Sequence, residues 1–294
     1  MKAKYNKVVI LTAALALSLT SCVKDELFNT PHPDHGKVTV TADWTARGEG
    51  ISVPEKWTVN IGDYTGEETS ATHSPDYLFT PGDYRIIVYN PAADITVSGT
   101  KATVSPVSGN WDGVGSFISG APGVLFTHVQ DVVIEKDREH GFTAMMRQQV
   151  RRLTLVIEPT GDAADRIESI EGYLNGAAGT LDFAEDTHGT PSNVELHFTK
   201  ITEGADVGKW SATVELLGTA GTGQRLTAQL RFADNNPKAV TFSSDLTEAL
   251  KDFNGNKAEA LTLGGSIVET PAEGGFSATI TDWEIAEKEN VEIN

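Results

Sequence analysis

Apolar residues recur at every second position along much of this chain, and this period limits its fold more than any other feature. Val38, Val40 and Ala42 alternate with polar residues. A period of two is typical of strands that are buried on one face. The same alternation recurs at Trp57–Ile61, Tyr84–Val88 and Val132–Ile134. Turn-forming pairs separate these segments at sandwich-like intervals, so the chain is predicted to be all-β.

A second series of strands begins after the basic segment Met145–Arg152. Residues 153–157 read Leu-Thr-Leu-Val-Ile and open this series. Its later members lie at 170–174, 180–183, 194–198, 210–217, 226–232 and 276–283. We therefore predict two tandem antiparallel β-sandwich domains, residues 37–147 and 148–294, with a boundary near Arg147.

One or two short helices are predicted within the second domain. Asp245 and Glu248 form a start that resembles a capping box, and Gly255 is a typical stop. The apolar residues between them share one helical face: Leu246, Ala249, Leu250 and Phe253. A second, shorter helix is predicted within residues 162–169.

The first residues have the order of a secretory signal peptide. Lys2, Lys4 and Lys7 make a basic segment, and Val8–Leu19 is an apolar run of about 12 residues. This run is too short to cross a bilayer as a helix. The chain is therefore predicted to be exported rather than to span a membrane here.

Cys22 is the only cysteine of the chain and follows this run. Leu19-Thr20-Ser21-Cys22 matches the bacterial lipobox, in which the signal, here residues 1–21, is cut before a cysteine that carries diacylglycerol. Buried acyl chains contribute roughly 0.8 kcal/mol per methylene, so several chains hold a protein firmly to a membrane. An ordinary signal peptide with a chance cysteine is the alternative. Residues 22–36 contain prolines and are predicted to form an extended tether.

The formal net charge of -18 excludes several classes of partner. So acidic a chain has no electrostatic route to nucleic acid or to an anionic bilayer, so the lipid on Cys22 must attach it to the membrane. With Cys22 committed to lipid, no disulfide can form. The stability must therefore come from apolar cores.

No arrangement of residues in the sequence predicts catalysis, a cofactor site or a metal site. His32 and His35 lie close together, but a zinc site needs more ligands on rigid elements. The glycine-rich residues 218–223 lack the lysine of a phosphate loop. There is no serine nucleophile motif, and a lipidated Cys22 cannot act as a nucleophile. We therefore predict a protein that is not an enzyme.

Several short segments, taken together and in order, carry a resemblance. They are Cys22 to Asp34, Gly36-Lys37-Val38-Thr39-Val40, Asp43-Trp44, Pro81-Gly82-Asp83-Tyr84, Gln149-Val150-Arg151-Arg152-Leu153 and Ile280-Thr281-Asp282-Trp283. In this order they resemble the fimbrillin-associated anchor proteins of type V pili, the minor-fimbria anchor family. The resemblance spans nearly the whole mature chain. It implies two transthyretin-like β-sandwiches and an outer-membrane anchor or accessory subunit whose partners are fimbrillin-type pilins.

The resemblance also implies how the subunits join and are processed. In these pili a strand from one subunit fills a groove in the next, held by main-chain hydrogen bonds. Stalk subunits of the wider superfamily are cut after an arginine near the N-terminus, and Arg47 is the candidate for such a cut here. An ordinary loop arginine is the alternative. Lys24, Asp25 and Glu26 resemble a surface-export signal of lipoproteins from the same bacterial phylum, with a hydrated spacer as the alternative.

We therefore expect a lipoprotein of the cell outer membrane, exposed on the surface, that anchors a fimbria or serves as its accessory subunit. A surface glycan-binding lipoprotein is the alternative, and Trp111 in a loop is its best candidate for an exposed aromatic residue. Trp57 and Trp210 lie at strand positions, so we expect them in the cores. Beyond Trp111, the sequence offers no support for a carbohydrate partner.

We predict that Cys22→Ala releases the protein from the membrane fraction, because the chain has no other predicted anchor. Labelling with an alkyne fatty acid should then fail. As a control, alanines at Lys24, Asp25 and Glu26 should leave the protein lipidated but less accessible to protease on whole cells. Membrane retention of the Cys22→Ala variant would exclude the lipobox interpretation.

Overall fold

A computed structural model describes residues 34–233, 238–270 and 283–286. Its regular structure is almost entirely strand, so the all-β prediction is confirmed. The first strands in chain order are β1 (Gly36–Asp43), β2 (Trp57–Ile61), β3 (Tyr64–Glu68), β4 (Thr72–His73), β5 (Leu78–Phe79), β6 (Gly82–Tyr89), β7 (Ile95–Ser98), β8 (Lys101–Val104), β9 (Pro106–Val107), β10 (Phe117–Ile118), β11 (Phe126–Ile134), β12 (Arg138–Met145) and β13 (Arg147–Gln148).

The remaining strands belong to the C-terminal half of the chain. They are β14 (Arg151–Thr160), β15 (Ile167–Asp182), β16 (Thr187–Lys200), β17 (Trp210–Leu216), β18 (Arg225–Phe232), β19 (Val240–Asp245), β20 (Leu261–Glu269) and β21 (Glu284–Ile285). Within the described part of the chain, no helix is long and apolar enough to cross a membrane.

Two sheets enclose the first apolar core. One has the strand order β12-β1-β4, with β5 also paired to β1, and the other has the order β13-β11-β6-β2-β3. The strands bury alternate side chains between the sheets, as the period of two predicts. The core includes Val40, Trp57, Ile86, Phe126 and Ile134. The result is a β-sandwich in which β1 and β2 were both predicted from the sequence.

The second core lies within one sheet that folds over itself. Its strand order is β19-β18-β15-β16-β17-β14-β20-β21, while β8 pairs with β15 and β10 pairs with β16. β16 pairs extensively with β15 but meets β17 only at Thr199 and Lys200. The two halves of the sheet therefore diverge beyond this short contact. Their side chains, including Leu155, Leu174 and Leu230, form one core between them.

The pairing of the chain changes beside Arg147, where the sequence predicts a domain boundary. β13 still pairs with β11, whereas β14 begins at Arg151 and pairs with β17 and β20. β7 to β10 come before this point and yet belong to the second sheet. The boundary between residues 147 and 148 therefore stays a prediction, while the two apolar cores are features of the structure.

The two segments predicted as helices form short turns instead of regular α-helices. One is a 3₁₀ turn, Ala164–Arg166. In the other, the Leu250 N–H reaches back four residues to Leu246 O, but the N–H groups of Phe253 and Gly255 reach back only three. The predicted apolar face is nevertheless buried in the second core. Tight turns suffice to bury so short a segment, and a short helix is costly to nucleate.

Hydrogen bonds and aromatic rings close one side of the first sandwich, which we call the sealed side and which consists of β3, β4 and β5. Tyr64 Oη lies 2.8 Å from His73 Nε2, and His73 Nδ1 lies 3.3 Å from a Glu68 carboxylate oxygen. The Trp57 indole N–H donates to the Ser70 carbonyl at 2.8 Å. Further rings pack against Tyr64, namely Tyr77 at 5.0 Å and Phe79 at 5.7 Å between centroids.

The Glu68 carboxylate makes the sealed side sensitive to acid. It accepts hydrogen bonds from the backbone N–H groups of Ser70 and Thr69, which lower the pKa of Glu68 from 4.5 to about 2. Because the pKa is lower in the folded than in the unfolded state, the stabilisation is complete above the unfolded pKa. It is lost as the pH falls through the folded value.

We predict that Glu68→Gln lowers the free energy of unfolding by about 1 kcal/mol at neutral pH, because a neutral amide oxygen accepts backbone hydrogen bonds less strongly than a carboxylate. The difference from the parent protein should shrink as the pH falls from about 5 towards 2. Urea unfolding across this range measures it. Glu67→Gln, in an exposed ion pair, is the control. A difference that does not depend on pH would contradict the assignment.

Candidate functional site

The first strand lies in the middle of its sheet and fills a groove, which we call the first-strand groove: the space between β12 on one side and β4 and β5 on the other. β1 pairs in parallel with β12 along its whole length, from Gly36 opposite Arg138 to Asp43 opposite Met145. It pairs antiparallel with β4 and β5 on its other side. Both edges of β1 are therefore occupied by strands of the same chain.

The inward face of β1 belongs to the first core. Val38 and Val40 are both 0% exposed, and Ala42 is 6% exposed. Complete burial of a valine side chain is worth about 1.5–3 kcal/mol relative to exposure. Removal of β1 would therefore open the first core as well as break its strand pairs.

The outward face of β1 is tied to its neighbours by polar side chains. Thr41 Oγ1 lies 3.1 Å from Thr72 Oγ1 on β4, and Thr39 Oγ1 lies 3.1 Å from Ser74 Oγ. The Lys37 ammonium lies 3.7 Å from the Glu139 carboxylate on β12. Such exposed contacts contribute little energy. They do, however, fix the register in which β1 occupies the groove.

The chain leaves the groove through a folded loop. The Asp43 carboxylate accepts the backbone N–H of Thr45 at 2.9 Å, and this hydrogen bond lowers the pKa of Asp43. Trp44 packs edge-on against Phe126, with 5.4 Å between ring centroids. The end of β1 is therefore anchored to the opposite sheet of the sandwich.

Arg47, the candidate for proteolytic processing, closes this loop. Its side chain is exposed, but the guanidinium donates from Nε to the Ile51 carbonyl and from a terminal nitrogen to the Trp44 carbonyl, both at 3.0 Å. A protease needs the residues around the scissile bond in an extended, accessible form. The loop geometry around Arg47 is the opposite of that requirement.

The residue after Arg47 is buried against the second half of the chain. The Gly48 N–H donates to Gln148 Oε1 at 3.0 Å. A Cβ atom at Gly48 would lie 2.3 Å from the Ala258 carbonyl oxygen, so only glycine fits here without a shift. The peptide bond that follows Arg47 is therefore packed between the two cores.

Gln148 also belongs to a group of polar contacts that join the two cores. We call this group the polar junction; it consists of Gln148, Gln149, Arg151 and the facing residues 252–259. Gln148 Nε2 donates to the Lys257 carbonyl at 3.0 Å, and Lys257 Nζ donates to Gln149 Oε1 at 3.0 Å. Burial lowers the pKa of the Lys257 ammonium. Arg151 donates to the Phe253 carbonyl at 2.7 Å and lies over the Phe253 ring.

The sequence predicts a domain boundary near Arg147 but not this junction. The segment around Arg147 stands out in the sequence because it is basic while the chain as a whole is acidic. The partners of Gln148 and Arg151 were not predicted, because they are carbonyl groups about a hundred residues later in the chain. Every residue has a carbonyl group, so no pattern in the sequence points to them.

The remaining predicted site residues are either outside the described residues or differently placed. Cys22 and the charged cluster behind it, Lys24, Asp25 and Glu26, lie outside the described residues, as does the predicted signal peptide. Trp111 is only partly exposed and packs edge-on against Tyr173, with 5.1 Å between ring centroids. Among the described residues, no cluster of histidine, cysteine and carboxylate side chains could hold a metal ion.

Comparison with known families and structures gives concordant findings. The family of fimbrillin-A associated anchor proteins Mfa1 and Mfa2 matches the chain over residues 115–289. No curated protein matches the chain. The fimbrial anchor protein Mfa2 from Porphyromonas gingivalis has a similar fold, with a TM-score of 0.53 and 13% sequence identity, over 85% of this chain and 97% of the other.

Two further solved structures share this fold at low identity. A candidate adhesin from Bacteroides ovatus has a TM-score of 0.55 and 16% identity, over 77% of this chain and 87% of the other. A candidate polysaccharide-binding protein from Bacteroides thetaiotaomicron has a TM-score of 0.52 and 11% identity, over 78% of this chain and 90% of the other. At these identities the likeness concerns the fold alone.

We predict that an arginine-specific protease does not cut the folded protein after Arg47, because the loop must first leave its contacts with Gln148 and Ala258. Gln148→Ala removes the acceptor of the Gly48 N–H and should speed the cut by about threefold to tenfold, as expected for the loss of one or two hydrogen bonds. N-terminal sequencing of the fragments measures this. Arg47→Lys is the control, and rapid cutting of the parent protein after Arg47 would contradict the prediction.

Proposed function

We propose that this chain, a member of the family of fimbrillin-A associated anchor proteins, is a lipoprotein of the bacterial outer membrane. It anchors a fimbria or serves as its accessory subunit. Its lipid is attached to Cys22 and its folded body lies outside the cell. It binds a fimbrillin-type pilin through β-strand addition. Its role is mechanical attachment, without catalysis and without a cofactor.

One observation carries this proposal: β1 is paired on both sides and buried, and it lies between Cys22 and Arg47 in the chain. A cut after Arg47 would sever the covalent link between the lipid and the folded body. An anchor that depends on Cys22 must therefore keep this link intact. The docked loop around Arg47 and the paired, buried β1 both support such a role.

A retained β1 also limits where a pilin can bind. An incoming strand cannot occupy the first-strand groove while β1 fills it, because each strand edge offers one set of backbone donors and acceptors. We therefore propose that the pilin strand is added at an edge of the sandwich and leaves β1 in place.

The alternative function, a surface glycan-binding lipoprotein, has one specific observation in its favour. Trp111 and Tyr173 form a partly exposed aromatic pair, and the Asn110 backbone N–H beside it donates to the Glu195 carboxylate at 2.6 Å. Aromatic rings next to polar groups can stack against sugars. This alternative predicts retention of polysaccharide without any pilin.

We predict that a disulfide between Thr41→Cys and Thr72→Cys leaves pilin recruitment unchanged. These residues are paired across β1 and β4, with their hydroxyl groups 3.1 Å apart, so a bridge should hold β1 in its groove. The amount of pilin that copurifies with the detergent-solubilised lipoprotein measures recruitment. The matched control carries serine at both positions.

Two outcomes of this experiment would overturn parts of the proposal. Loss of pilin from the bridged protein, restored by a reducing agent, would show that β1 must leave the groove. Polysaccharide without pilin in the bridged, control and parent proteins would favour the glycan-binding alternative.

A further inference from the structure

The structure points to one edge of the first sandwich as the acceptor for the pilin strand, and we propose that this edge is the outer edge of β12. The inference rests on the proposed function, since it specifies where β-strand addition occurs. Its partner is an extended segment of a pilin, with apolar side chains at alternate positions.

β12 is paired on one side only. Along its whole length, Arg138–Met145, it pairs with β1, and no other strand among the described residues pairs with it. β11 belongs to the opposite sheet and pairs with β13 only at Phe126 and Thr127. Beyond Thr127, its outer edge has no strand partner in the part of the chain that the structure describes. We call the side formed by these two edges the open side of the sandwich.

The core beneath the β12 edge is incompletely covered. His140 and Phe142 lie opposite Val38 and Val40 of β1 and share their inward face. The two valines are completely buried, whereas His140 and Phe142 both remain partly exposed. A further strand beside β12 would cover these two side chains, just as β12 itself covers one flank of β1.

The other side of the sandwich shows what a covered edge looks like. On the sealed side, Tyr64 is hydrogen-bonded to His73 at 2.8 Å and ringed by Tyr77 and Phe79. On the open side, a histidine also lies between the two edge strands, but its contact is longer. His128 Nδ1 of β11 lies 3.3 Å from the Met145 carbonyl oxygen of β12. The fold has therefore closed one side with its own side chains and left the other accessible.

Two edges of the second sheet, those of β19 and β20, are better covered. β19 is an edge strand of the second sheet, but its inward residue Phe242 is only 3% exposed. β20 is partly covered by β21, and its inward residues Leu263 and Val268 are both 0% exposed. β19 leaves only Val240 of its inward apolar side chains partly exposed, and β20 leaves neither Leu263 nor Val268 exposed. Both edges therefore offer a smaller hydrophobic gain than β12.

The surroundings of the β12 edge define the chemistry of its partner. Val133 on β11 is 60% exposed and Met145 at the end of β12 is 54% exposed, but both lie on the outward faces of their sheets. The inward residues His140 and Phe142 are therefore the side chains that an added strand would meet. Backbone hydrogen bonds to β12 would bind any extended segment, while the partly exposed His140 and Phe142 would select one with apolar side chains at alternate positions. In the turn before β12, the Glu135 backbone N–H donates to His140 Nε2 at 2.9 Å.

A second copy of this chain is a poor occupant of the edge. Each copy carries a formal net charge of -18, and so large a charge opposes the close approach of two copies. Long unpaired edges normally invite self-association, which natural proteins suppress.

Photo-crosslinking in cells tests the proposal. The residue p-benzoylphenylalanine is placed at Phe142 on the open side in one strain and at Tyr77, which is 49% exposed on the sealed side, in a control strain. After irradiation, mass spectrometry identifies the crosslinked peptide. We expect a crosslink from position 142 to an extended segment of a pilin, and none from position 77.

Each other result has a distinct meaning. Pilin crosslinks from position 77 but not from 142 would overturn the edge assignment and leave the fimbrial function intact. A crosslink from position 142 to a second copy of this chain would replace the pilin with a homodimer. No pilin crosslink from either position, together with no pilin in the copurification, would overturn the proposed function and the edge assignment together.

A pair of substitutions tests the same edge without a crosslinker. Phe142→Lys places a charge on the inward face of the edge, a device by which natural proteins block strand addition, and it should cause loss of surface pili. Thr143→Lys adds the same charge on the exposed outer face of β12 and should leave the pili unchanged. Thermal unfolding of the two purified variants shows whether each is folded. Normal pilus numbers with folded Phe142→Lys protein would overturn the proposal.

Discussion

The burial of the first strand between two neighbours is the interaction on which the rest of this structure depends. β1 completes a four-stranded sheet, contributes Val38 and Val40 to the first core, and is paired along both edges. Without it, β12 would lose its only described strand partner, and β4 and β5 would lose theirs. The first sandwich is therefore complete only while the N-terminal segment stays attached to it by pairing.

The loop after β1 links this strand to the second core. Gly48 lies against Ala258, and Gln148 contacts both the loop and the Lys257 carbonyl. Rearrangement of the loop would therefore disturb the polar junction as well as the groove. If the protein is anchored through Cys22 as proposed, a force on the folded body would act on these contacts as well as on β1.

The elements of this fold that bury the most apolar surface were the ones that the sequence predicted. β1 and β2 were predictable because their inward residues are apolar at a strict period of two. β12 was missed, because its inward residues are His140, Phe142 and Ala144, and an incompletely covered edge needs fewer large apolar side chains. The helix expected at Asp245 was replaced by turns, since three buried side chains fix that segment without a full helix. The polar junction was hidden because its acceptors are backbone carbonyls.

The mass of the mature protein, measured on intact chains taken from purified fimbriae, shows whether the first strand is retained. A retained first strand predicts one continuous chain that begins at a lipidated Cys22 and contains the Arg47–Gly48 peptide bond. Top-down fragmentation would place the lipid and residues 36–51 in the same molecule. A body that begins at Gly48, without lipid, would show that the first strand is removed during assembly and would contradict the account.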